Sequence, residues 1–338
     1  MSELMLAAVL EEYGQPLRLT RVPRPEPGPG QILIRLEASG VCHSDVHVWR
    51  GEMPPASAPS PFILGHEGIG VVAAVGPDVQ DWNPGERAGI GWLHDTCGEC
   101  AECLDGAESF CQSQRAHGYD VAGTFAEYVV ADARFAFRVP AGAASGLAPL
   151  MCAGVTAYGA IERAQVKHGE CCAIFGCGGL GQYAIQLARR RGARVVAVDR
   201  DAGKLDRATS LGAVDTKVAD AGLATAWPPQ DQVASCINFA PTPASWDAMI
   251  SAVQPRGRIV AAAMVAEPVA ISQEWLASTG VTVTGTSVGT RAQMHDLLAL
   301  HEQEPLASHV AEIALGDVSD ALADLRAGRA QGRFAVVF

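Results

Sequence analysis

The sequence predicts an α/β protein in two parts, a β-rich first third followed by a doubly wound parallel sheet. Three observations carry that expectation. Short apolar and β-branched runs punctuated by proline and glycine fill the first third, apolar strands alternate with helical segments from about Pro149, and a glycine fingerprint stands at the first strand-to-helix junction of that second part. At 338 residues the chain is also longer than a single core usually organises, so division into domains is expected.

In the first third, "QILIRLEASGV" and "EGIGVVAAVG" read as strands, and "RPEPGPG", "MPPASAPSP" and "GPDVQDWNPGER" supply the turns between strands. The second part opens with the strand "CCAIFG", the helix "LGQYAIQLARRRG" closing on Gly192, and the strand "ARVVAVD". The alternation continues through "KLDRATSLGA", "ASCINFA", "SWDAMISAVQPRG" as a helix, then "RIVAAA" and "TVTGTSV" as strands. Strands and helices alternating at this spacing make a parallel sheet covered on both faces. After about Thr290 the tail holds two helices and a final strand. The boundaries expected are 1–148, 149–290 and 291–338, and pattern alone leaves open whether the last segment rejoins the first domain.

Composition excludes several classes. Aliphatic and aromatic residues make 49% of the chain and charged ones 18%, the balance of a folded globular protein. The formal charge of -12 opposes nucleic-acid binding, which needs lysine and arginine to neutralise phosphates. No apolar stretch approaches the roughly eighteen residues that a membrane span requires. The start, "MSELMLAAVLEEYGQPL", is unlike a secretory signal, so a cytoplasmic protein is expected. In that reducing compartment the ten cysteines are not a disulfide framework, and clustered ones read as metal ligands.

Four of them, Cys97, Cys100, Cys103 and Cys111, follow the spacing C-x2-C-x2-C-x7-C. Four thiolates suit a closed tetrahedral zinc site, which stabilises a fold and leaves no position for substrate. Iron–sulfur ligation also uses closely spaced cysteines. A nucleic-acid zinc module is the third reading, and the acidic charge opposes it.

Three further segments place metal-ligand residues beside turn glycines: "GVCHSDVH" with Cys42, "GHEG" with His66 and Glu67, and "LMCAGVTAYG" with Cys152. Two sulfurs and one imidazole would leave a fourth zinc position open, as catalytic sites do. Spacing does not assemble these segments, and each residue taken singly is more often buried core.

"AIFGCGGLGQYAIQLA" puts Gly176, Gly178 and Gly181 in G-x-G-x-x-G register, with Gly179 and Leu180 between them. The first glycine permits the turn, the second admits a pyrophosphate, and the third lets helix and strand pack closely. Eighteen residues after Gly181 the next strand ends on Asp199, placed to bind the ribose hydroxyls of NAD and repel the extra phosphate of NADP. Arg200 beside it can welcome that phosphate.

Together these motifs, in this order, resemble the zinc-dependent alcohol dehydrogenases of the medium-chain dehydrogenase/reductase family, and in particular the yeast-like and bacterial branch. The resemblance spans essentially the whole chain, through "CHSDVHVWRGE", "GHEGIGVV", "GIGWLHDTCGECAECLDGAESFC", "CAGVTAYGAI", "GTSVGTRA" and "GRFAVVF". It implies a GroES-like catalytic domain carrying two zinc ions, a Rossmann domain binding NAD, and a C-terminal segment returning to the first. By position, Cys42, His66 and Cys152 match the catalytic zinc ligands, Glu67 the carboxylate behind that metal, and the four clustered cysteines the structural zinc. Ser44 and His47 match a proton relay, and Asp45 a partner that fixes the His66 tautomer. His43 and Arg333 match contacts to the pyrophosphate, Lys204 a contact to the adenosine ribose, and Trp49 and Trp92 walls of the substrate pocket.

The implied activity is reversible hydride transfer between a primary or secondary alcohol and NAD. A polyol, formaldehyde or aromatic-alcohol specialist is the alternative within the family, and a non-catalytic dinucleotide-binding zinc protein the alternative outside it. The implied partners are a small alcohol or aldehyde and further copies of the chain, as a homotetramer or homodimer. "MPPASAPSPFILGHEG" and "AAAMVAEP" depart from the ethanol-active pattern next to the expected substrate pocket.

Overall fold

In the computed structural model, residues 3–220, 227–265 and 267–338 are described, and the chain divides into two units. The first comprises Met1–Val155, Thr290–Pro305 and His309–Phe338, and the second Thr156–Gly289 with Leu306–Ser308.

The strand Gln31–Val41 organises the first unit. Ile32, Ile34 and Leu36 alternate onto one face and are fully buried against Val72, Trp82, Ala88, Ile90 and Val129. Each such side chain contributes roughly 1.5–3 kcal/mol by leaving water. The strand pairs antiparallel with Glu67–Val75 on one side and Arg333–Val337 on the other, and Tyr128–Asp132 pairs with its first half. Arg87–Ile90 and Ala136–Arg138 extend the sheet beyond Glu67–Val75, and Val310–Ile313 runs parallel to Arg333–Val337 at the other end. The C-terminal segment thus supplies two strands to the first unit. An N-terminal hairpin, Leu4–Val9 with Arg18–Pro23, covers a second core that includes Met5, Leu64, Phe125 and Val336.

The second unit is a six-stranded, wholly parallel sheet. Its strands lie in the order Asp215–Val218, Arg194–Asp199, Cys171–Phe175, Val233–Asn238, Val253–Ala261, Thr282–Gly285. Every residue of Val233–Asn238 is buried, Ser235 and Asn238 included, which explains why it shows no alternation of apolar and polar residues in the sequence. The order reverses between Cys171–Phe175 and Val233–Asn238, and such a switch point opens a crevice at the carboxyl ends of the strands.

Two local expectations change. The segment "AVQPRG" is not the end of a helix: the helix stops at Ala252 and the strand begins at Val253, where the proline can no longer break helical bonds. The tail holds Arg291–Gln303 and Val318–Arg326 as helices, with the strand Val310–Ile313 between them in addition to the final one.

Candidate active site

Cys42 ends the central strand and caps the helix His43–Trp49, so the chain turns at the point where its thiol is presented. Asp45, in the first turn of that helix, is buried and accepts three hydrogen bonds. Its Oδ2 takes the Cys42 backbone N–H at 2.8 Å, and its Oδ1 takes the Gly65 N–H at 3.2 Å and the His66 Nδ1–H at 3.0 Å. One carboxylate therefore fixes two chain segments and one tautomer. His66 Nε2 is fully buried and has no hydrogen-bond partner.

That nitrogen stands beside two sulfurs. Cys152, from the segment preceding helix Ala153–Arg163, places its Sγ 3.9 Å from that of Cys42. The ligand atoms of Cys42, His66, Glu67 and Cys152 all lie within 4.8 Å of one another, and all four residues are buried. Sulfurs bound to one tetrahedral zinc at 2.3 Å stand about 3.8 Å apart, so the spacing fits that ion. The thiols also divide a proton unequally: the Cys152 hydrogen bond holds Cys42 well below the ordinary thiol value, while Cys152 is pushed well above it.

Behind the sulfurs, Glu67 is gripped by the Arg333 guanidinium, whose Nη2 reaches both carboxylate oxygens, one of them at 2.5 Å. Burial lifts the Glu67 carboxyl to about 7 against the pull of Arg333. Arg333 was expected at a pyrophosphate; here it is itself buried against Glu67, with its Nε unpaired.

Ser44 Oγ lies 3.8 Å from the Cys42 sulfur. His47, one turn on, donates its Nδ1–H to Glu52 at 2.7 Å, and the exposed His43 ring stands 5.4 Å from it. Trp92 meets the His66 ring edge-on at 5.0 Å, beside the candidate metal ligands.

Trp49 is a correction. It packs into the hydrophobic core with Val46, Val48 and Leu64, and its Nε1–H donates to the Gln15 carbonyl at 2.6 Å. It is a core residue, not a pocket wall, because its helix turns it onto the same buried face as Val46 three residues earlier.

The four clustered cysteines close on one point. Their sulfurs lie within 4.8 Å of one another, with Cys97 3.9 Å from Cys103 and 3.6 Å from Cys111, again the spacing of a tetrahedral ion. Backbone N–H groups of Glu99 and Cys100 hold the Cys97 thiol down to about 7, which readies it as a ligand. Nearby, buried Glu108 takes the backbone N–H of Arg291 at 2.8 Å and its Nε–H at 3.0 Å, tying this lobe to the start of helix Arg291–Gln303.

In the second unit, Gly176 adopts φ +90°, and a Cβ on Gly181 would fall 2.0 Å from the Gly176 carbonyl, so both positions require glycine. Gly178, Gly179 and Leu180 lead into helix Gly181–Arg190, whose free N–H groups suit a phosphate. Asp199 ends the second strand and accepts the N–H groups of Cys177 at 2.8 Å and Asp201 at 3.0 Å. The Lys204 backbone N–H caps onto Asp201 at 3.0 Å.

Sequence reasoning missed Glu52, His94, Glu108, His117 and Tyr119. Only Glu52 carried a local signal, standing five residues after His47.

A buried cluster of two cysteines, a histidine and a glutamate that could hold a metal in one unit, and a glycine-fingerprint parallel sheet in the other, fit a metal-assisted, dinucleotide-linked oxidoreductase. The alcohol dehydrogenase GroES-like domain model matches residues 28–141, and the zinc-binding dehydrogenase model residues 179–303. An alcohol dehydrogenase of Moraxella sp. (strain TAE123) is 37% identical, with 98% of this chain and 99% of that protein covered. The chain belongs to the zinc-dependent alcohol dehydrogenase family of medium-chain dehydrogenase/reductases.

Solved structures agree with that membership. The cobalt- and zinc-bound thermostable alcohol dehydrogenase from Pyrobaculum aerophilum is similar at TM-score 0.90 and 29% identity, covering 99% of this chain and all 100% of that one. Acetophenone reductase from Geotrichum candidum NBRC 4597, in complex with NAD, is similar at TM-score 0.87 and 26% identity, covering 100% and 98%.

Proposed function

We propose that this chain oxidises a primary alcohol, or a secondary one less readily, by transferring hydride to NAD, and carries out the reverse reduction. The observation that carries the reading is the buried His66 Nε2, unpartnered and standing beside two sulfurs 3.9 Å apart. Zinc bound there by Cys42, His66 and Cys152 would act as a Lewis acid and make an alcohol hydroxyl a far stronger acid. The four-cysteine set would hold a second, structural zinc.

The protein's own groups then handle the proton. Ser44 stands beside the Cys42 sulfur and would accept it from the alcohol while giving up its own hydroxyl proton towards His47 through the ribose of bound NAD. His47 passes it outward; its Nδ1–H is committed to Glu52, so Nε2 is free to take it. Asp45 keeps His66 in the tautomer that ligates. Trp92 beside His66 narrows the space for substrate and favours small or flat alcohols.

Asp199, with its carboxylate held by two backbone N–H groups, supports NAD over NADP, since a phosphate there would meet a fixed negative charge. His43 and Lys204 complete the proposed cofactor contacts, while Arg333 stays paired with Glu67. We place the protein in the cytoplasm, on the ground that all ten cysteines are free; among the described residues no single helix is long and apolar enough to cross a membrane. Thr282–Gly285 is the last strand of its sheet, and pairing of this edge between copies is the proposed route to a homodimer or homotetramer.

The test is the initial rate of NAD reduction by zinc-loaded protein across short, branched, aromatic and polyol alcohols, with NADP in parallel. Turnover with primary alcohols and NAD supports the reading. Turnover confined to polyols or to NADP would replace the substrate or cofactor assignment. Silence throughout would favour a non-catalytic protein.

A further inference from the structure

The segment Gly91–Trp92 is held from both sides. On one side, a Cβ on Gly91 would lie 2.5 Å from the Met151 carbonyl, immediately before the ligand Cys152. On the other, His117 grips two successive carbonyls: its backbone N–H donates to the Trp92 oxygen at 2.9 Å and its Nδ1–H to the Gly91 oxygen at 2.9 Å. His117 is fully buried.

The tautomer follows from the partners. A carbonyl only accepts, so Nδ1 carries the proton and Nε2 of the neutral ring accepts from His94 Nδ1–H at 3.1 Å. The two rings meet edge-to-face at 4.8 Å. Burial, with His94 as a second cause, pushes the His117 imidazole down to about 3, so it stays neutral under working conditions.

What this clamp holds is the Trp92 ring. That ring lies 5.0 Å from the His66 imidazole and 5.8 Å from Tyr119, whose hydroxyl donates to the Pro54 carbonyl at 3.2 Å in the proline-rich loop. We infer that His117, backed by His94, is a positioning residue that fixes Trp92 over the metal-ligand histidine and so sets which alcohols the site admits. The inference rests on the alcohol dehydrogenase reading above. Without the imidazole, the Gly91 carbonyl and the His94 N–H lose their partners in a buried setting, and the backbone bearing Trp92 must shift to find others.

Two variants separate positioning from bulk. His117→Leu keeps comparable volume without polar groups; His117→Asn keeps an N–H for Gly91 and an oxygen for His94. The full-length zinc-loaded protein is labelled with 5-fluorotryptophan, and Trp92→Phe identifies the Trp92 fluorine resonance. In His117→Leu the Trp92 resonance should move or broaden while the other tryptophans stay in place. The ratio of kcat/KM for a bulky secondary alcohol to that for ethanol should change about tenfold, the scale of discrimination that pocket shape supplies. His117→Asn should restore both, and Val233→Ala, a core change in the parallel sheet of the second unit, should move neither.

An unmoved resonance in His117→Leu, or a moved one with unchanged selectivity, overturns the inference. A Trp92 line already broad in the parent protein overturns it too, whether or not the leucine variant folds. If the parent oxidises no alcohol, the functional reading falls, and the fluorine spectra alone decide the clamp.

Discussion

Asp45 does more with one side chain than any ligand does. Because it receives both the Cys42 and Gly65 backbone N–H groups as well as the His66 ring, it sets the separation of two ligand-bearing segments before any ion arrives. Asp45→Asn should therefore weaken zinc at this site by about 10–100-fold, as loss of an outer partner does elsewhere. Competition with a chelator should show this while the four-cysteine site keeps its ion. His117 gives a second prediction at this scale. Its folded value is about 3 and its free value about 6.5, so below 6.5 the unfolded chain takes up a proton that the folded one refuses. Stability should fall as pH drops from about 6.5 towards 3, and His117→Asn should lose less over that window. Melting temperatures across the window check it; parallel curves would contradict it. The two clusters that could hold a metal were legible because cysteine and histidine beside turn glycines follow a recognisable order. Trp49 was misread because the same motif was not placed on a helix, where Val46 and Trp49 share the inward face. His94 and His117 left no trace, since a contact between residues far apart in sequence has no period.

Among the elements, the lobe from Cys97 to Cys111 has little regular structure of its own, only the helix Ala101–Leu104 and a short 3-10 turn. Its four sulfurs close within 4.8 Å of one another, and Arg291, ion-paired with Glu108, stacks 4.4 Å over Phe135. Cys103→Ser should lower the melting temperature markedly and change kcat less than about threefold, because a closed four-thiolate site leaves no position for substrate. A variant as stable as the parent but without turnover would reverse that division of labour. Strand-and-helix alternation in the second unit was legible from period and punctuation. The helix His43–Trp49 was not, since seven residues starting His-Ser-Asp present no apolar stripe long enough to read.

For the molecule as a whole, the sheet order explains why the dinucleotide motif lies where it does. Gly176 follows the strand Cys171–Phe175, one of the two that flank the switch point, so the fingerprint opens onto the crevice that such topologies leave. The return of Arg333–Val337 to pair with Gln31–Val41 brings Arg333 to Glu67 across 266 residues of sequence, and this could not be foreseen from either segment. The central claim is that alcohol oxidation happens at the Cys42–His66–Cys152 site. The most direct measurement is NADH formation by matched zinc-loaded preparations of the parent and of Cys152→Ser, with ethanol as substrate and zinc counted in each. The account predicts that the variant keeps only the structural zinc and loses at least about a thousandfold in rate, the scale on which losing a catalytic metal's Lewis acidity acts. A variant that drops that ion yet still makes NADH at the parental rate would contradict it.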